Sequence, residues 1–118
     1  MTPAQNILTT SANGSFPWEF PLYQVGSPPN DRAGHLVIRA SIVGSGAVAA
    51  TVAAYRGSLF GGSIRYDDTP AATFTLSGTN ISTASQEFRQ TGDIHWNFVV
   101  TGISGSSTLS VTAGWWNA

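Results

Sequence analysis

Ile94-His95-Trp96-Asn97-Phe98-Val99-Val100-Thr101 is the stretch on which the fold turns. Ile94, Trp96, Phe98 and Val100 fall on one side of a two-residue period, and His95, Asn97, Val99 and Thr101 on the other. Strict alternation of this kind marks a half-buried β-strand. Its β-branched and aromatic side chains suit a pleated surface. Upstream, His35–Val43 repeats the pattern, with Leu36, Ile38, Ala40 and Ile42 on one face. Gly44-Ser45-Gly46 then predicts a hairpin turn, and Ala47–Arg56 a returning strand with Val48 and Val52 inward. A second Gly-Ser turn at Gly105-Ser106 predicts a similar hairpin into Ser107–Trp115, where Leu109 and Val111 alternate with Ser and Thr.

The remaining segments are shorter. Gly57–Gly62 reads as a flexible loop holding Leu59 and Phe60, and Ser63–Tyr66 as a brief strand. Asp67-Asp68-Thr69-Pro70 has turn composition. Ala72–Leu76, Asn80–Ser82 and Gln86–Gln90 read as three short strands. Phe16-Pro17-Trp18-Glu19-Phe20-Pro21-Leu22 alternates aromatic and other residues, but Pro17 and Pro21 confine it to an edge or a strap. No helical period occurs. The expected fold is all-β, an antiparallel β-sandwich or jelly roll over 16–118, with 1–15 as an extended N-terminal arm. The expected core is Leu36, Ile38, Ile42, Val48, Val52, Phe74, Leu76, Phe88, Ile94, Trp96, Phe98, Val100, Leu109 and Val111.

Composition sets limits on function. The chain has 118 residues, long enough for one domain and too short for two. It lacks cysteine, which removes disulfides, thiolate zinc sites and thiol catalysis. Net charge is −1, and no basic patch points to nucleic acid. Met1–Asn6 has neither a basic start nor an apolar run, so no signal peptide and no membrane segment are expected, and synthesis is expected in the cytoplasm.

No reaction is announced. The two histidines, His35 and His95, fall inside predicted strands and away from any nucleophile motif. Six acidic residues leave few pairs for glycoside chemistry. Asp67-Asp68 offers too few oxygens for calcium. Asn13-Gly14-Ser15 and Asn80-Ile81-Ser82 match the glycosylation sequon, which has no meaning without secretion. The expectation is a protein without enzymatic activity, cofactor or metal.

The surface is the unusual part. Charged residues make up 9% of the chain, against about 25% in ordinary domains. All five basic residues are arginine. Serine (fourteen), threonine (thirteen), alanine and glycine supply the outside instead. Lysine guards sheet edges and is depleted at interfaces, whereas arginine and aromatics are retained there. Faces of this kind are expected to be covered by neighbours. The partner-contacting residues are expected at Ile7 and Leu8 on the arm, at Phe16, Trp18 and Phe20, and at Trp115 and Trp116. On that reading, deleting 1–15 leaves the fold intact and abolishes attachment.

In architecture and composition the whole chain resembles the small β-sandwich virion proteins of tailed bacteriophages, the head decoration or cement type in particular. No diagnostic motif carries the resemblance, so no functional residue is carried over. It implies a homo-oligomer, trimers being favoured, on the capsid exterior and in contact with the major capsid protein or another virion protein. A tail, neck or fibre component has similar features. The competing class is a carbohydrate-binding, lectin-like module that stacks sugars on Trp18, Trp115, Trp116 or Tyr66.

Overall fold

The computed structural model describes residues 5–19, 35–89 and 95–116. Within them run β1 (Gln5–Thr10), β2 (Gly14–Glu19), β3 (His35–Phe60), β4 (Ser63–Tyr66), β5 (Ala72–Arg89), β6 (His95–Thr101) and β7 (Thr108–Trp116). All pairings are antiparallel. They join into a single sheet in the order β1-β7-β3-β6-β2, with β4 and β5 also paired to β3.

The sheet curls into two layers because its long strands cross between them. The first half of β3 pairs with β7 on one side and the second half of β5 on the other. The second half of β3 pairs with β6 and the first half of β5. One layer is therefore β1-β7-β3-β5 and the other β2-β6-β3-β5, with β4 extending the second. The alternating apolar residues of both layers meet inside. Every expected core residue is buried there except Ile94, which lies outside the described residues. Leu8 and the alanines 40, 50, 54, 72 and 113 join them.

Three expectations need correction. Gly44–Gly46 is not a hairpin turn. Residues 35–43 and 47–54 never pair with each other but with successive parts of β5, across a register shift between Val43 and Ala47. Likewise β6 and β7 lie in different layers, so Gly102–Ser107 is a crossing as well. Gly46 and Gly102 have φ of 82° and 63°, and Ser106 has 61°, a backbone shape that serves a turn or a corner equally well. The three short strands expected after Pro70 are the single strand β5, which crosses at Asn80 (φ 65°).

The third correction concerns the arm. Gln5–Thr10 is ladder-bonded to β7, Leu8 stands opposite Val111, and Leu8 is only 6% exposed. Gln5–Thr10 and Gly14–Ser15 are therefore strands of the chain's own sheet, where an extended arm was expected over 1–15. Their Thr- and Ser-rich sequence hid the strand, because an edge strand needs only a few inward side chains.

These three crossings and the β1–β2 connection are laced together along the fold line. Asn13 Oδ1 accepts from Ile103 N (3.0 Å), and Ala49 N donates to Ser104 Oγ (3.0 Å). Ser104 N returns a bond to Ala49 O (2.9 Å), and Gly46 N donates to Asn80 Oδ1 (2.8 Å). Both sequon asparagines thus serve the corners. Gly78 sits where β5 bends, and a Cβ there would lie 2.7 Å from the Ile81 carbonyl oxygen. Backbone cannot yield as a side chain can. Gly78→Ala is expected to cost about 1–3 kcal/mol, read as a lower denaturation midpoint. An unchanged midpoint would show the corner to be pliable.

Candidate functional site

At the far end of β3 the chain forms a tight hairpin into β4. Gly61 and Gly62 have φ of 61° and 86°, the conformation of a two-residue turn matched to strand twist. Leu59 stands opposite Ile64, and Phe60 opposite Ser63. The expected flexible loop is thus a paired hairpin, and a Gly-Gly dipeptide between apolar residues was the available sign of it. Leu59 is 63% exposed and Phe60 70%. The Arg65 guanidinium lies 5.7 Å from the Phe60 ring centre, a cation–π contact at the end of the hairpin. A second exposed apolar pair, Val43 and Ile81, faces across β3 and β5 beside the fold line.

The residues expected at a partner interface divide differently. Leu8 is core, and Ile7, Phe16 and Trp18 pack half-buried against it. Trp18 lies opposite Trp96 in the ladder, with its ring 6.4 Å from Phe98. Phe20 lies outside the described residues. Trp115 and Trp116 are backbone-paired with Leu36 and His35, and their side chains fall outside the description.

Charge is used sparingly. Arg56 points towards the interior end of the sandwich, 5.2 Å from the Trp96 ring centre and 5.6 Å from that of Phe88. Its aliphatic stem covers apolar surface while its head reaches the Arg89 carbonyl at 3.5 Å. His35 Nδ1 meets Glu87 Oε2 at 3.1 Å between β3 and the exposed face of β5, a pair of small energetic weight. Among the described residues no three His, Asp or Glu side chains gather into a metal-binding group.

Beside the hairpin an open cleft of about 220 Å³ lies between β2 and β4, lined by Pro17, Trp18, Glu19, Ile64, Tyr66 and His95. It brings Trp18 and Tyr66 together, as neither the aromatic pattern nor the turn composition could foretell.

Comparison with known proteins finds no matching family model and no matching curated protein. Among solved structures the chain is similar to a Bacillus endospore appendage from a family of disulfide-linked pili. That match has 16% identity and a TM-score of 0.42, over 96% of this chain and 90% of the other. It is also similar to a family 16 carbohydrate-binding module, with 7% identity, a TM-score of 0.41, and coverage of 88% and 69%. Tobacco streak virus coat protein matches at 10% identity and a TM-score of 0.35, with coverage of 93% and 81%. These neighbours are β-sandwich or jelly-roll domains, the fold class of this chain. At such identities and scores no function transfers from any of them.

Proposed function

We propose that the chain is a non-enzymatic structural subunit of a virion, a decoration protein that binds the head exterior as an oligomer. The observation that carries this reading is the hairpin end, where Leu59 and Phe60 stand 63% and 70% exposed. Large apolar side chains held out on a rigid turn are unfavourable in water and mark a contact surface. The edges agree. Among the described residues β5 pairs with β3 alone, and its charged residues, Glu87 and Arg89, stand at one end. A long edge with so little charge is suited to being covered. Many copies with modest contacts would hold to a symmetric shell through avidity.

The test is the mass of the purified chain by light scattering across concentration, together with the Leu59→Ser, Phe60→Ser double variant. The expected result is a stable oligomer, a trimer by preference, which the double variant breaks to monomer without lowering the melting temperature. In purified particles the chain is expected at a fixed copy ratio to the major capsid protein. A monomeric wild type that is also absent from particles would overturn the reading.

A further inference from the structure

Beside the hairpin end, one row of directly opposed residues crosses the outer face of the second layer: Glu19, His95, Gly57, Tyr66. Opposed residues in antiparallel strands share a face. Gly57 contributes no side chain, and the Tyr66 ring takes the vacant space, its Cδ1 lying 2.7 Å from where a Cβ would stand. The next row along holds Pro17, Asn97 and Tyr55. Two polar atoms of this face, His95 Nε2 and Asn97 Oδ1, are buried without a hydrogen-bond partner. Such orphans are costly, and one of them belongs to a residue that lines the cleft.

We propose that this cleft is a saccharide site that takes one neutral pyranose ring. Among the described residues no Arg lines it, so an anionic ligand would find no counter-charge there and would meet the Glu19 carboxylate. A purely apolar ligand would leave the exposed Glu19 carboxylate desolvated and unpaired. A sugar satisfies both demands. Its C–H groups pack on the electron-rich ring of Tyr66, with Pro17 and Ile64 as apolar neighbours. Its hydroxyls donate to the two Glu19 oxygens. The volume, about 220 Å³, suits a single ring. Pockets for larger, drug-sized ligands run to about 300–1,000 Å³. The assignment stands apart from the assembly reading, because the hairpin end and the cleft have Ile64 alone in common.

The experiment is saturation-transfer NMR on the whole chain with the methyl glycosides of glucose, galactose, mannose and N-acetylglucosamine. The expected result is transfer to the ring C–H protons of at least one glycoside. Glu19→Gln, at an exposed edge position, is expected to weaken that binding about tenfold, the equivalent of one good polar contact. Tyr66→Ala is expected to do the same and Tyr66→Phe to restore most of it, whereas Leu59→Ser leaves it unchanged. No transfer from any of the four to the wild type overturns the proposal. Binding that survives Glu19→Gln undiminished overturns it too, by placing the sugar elsewhere.

Discussion

Trp96→Ala is expected to remove about 3–5 kcal/mol of stability, a large share of the roughly 5–15 kcal/mol that holds an ordinary domain together. Trp96 is fully buried and ties both layers and one end of the core into a single aromatic cluster. Its ring meets Phe88 edge-on at 5.3 Å, stacks with Phe98 at 6.1 Å, and lies under Arg56 at 5.2 Å. Alanine would leave a cavity, and Arg56 would lose one of its two aromatic supports. Trp96→Phe is the informative contrast. The Trp96 Nε1 donor is buried and unpartnered, so the smaller ring gives up volume but also removes an orphaned polar atom. Chemical denaturation should place Trp96→Phe much nearer the wild type than Trp96→Ala. Equal losses would mean that the indole N–H is satisfied in solution.

Removing residues 1–10 is the second large effect. The deletion takes away β1, the ladder to β7, and the Leu8 side chain. Leu8 alone accounts for about 2–5 kcal/mol on the scale of buried leucine truncations. The strand left behind presents Leu109 and Val111, fully buried in the intact fold, at an uncovered edge. The truncated chain is expected to melt far below the full chain or to aggregate, and Leu8→Ala should reproduce part of the loss. A truncated chain with unchanged melting and unchanged circular dichroism would return these residues to the role of a dispensable arm.

These two cases show what was legible in the sequence and what was not. The period of two at His35–Val43 and from Ile94 onward depends only on which face is wet, so it gave the strands and the large core side chains directly. Pairing partners depend on distant chain, and there the reading failed. Gly44-Ser45-Gly46 satisfies the backbone demands of a hairpin turn and of a layer crossing alike. Only the continuing ladder to β5 separates the two. Alanines such as Ala40 fell on the inward face of the two-residue period but were left out of the expected core, because so small a side chain is consistent with either face. Leu59 and Phe60 were hidden in what resembled a loop, although Gly61-Gly62 was a hairpin sign. The cleft could not be foreseen at all, since Glu19, Tyr66 and His95 meet only through register across four strands.

The crossing geometry also dictates an order of events during synthesis. The ladder of β3 with β4 and then β5 is local in sequence and can zip outward from the Gly61-Gly62 turn until Arg89 emerges. β1 and β2 are made first, yet their partners β7 and β6 are made last. Leu8, Phe16 and Trp18 must therefore wait unpaired while the rest of the chain is translated, roughly 5–20 seconds at ordinary elongation rates. Throughout that interval the stretch Gln5–Glu19 has no native neighbour. It depends on its intervening Ser, Thr and Asn residues, or on a chaperone, to stay in solution until the last strand arrives.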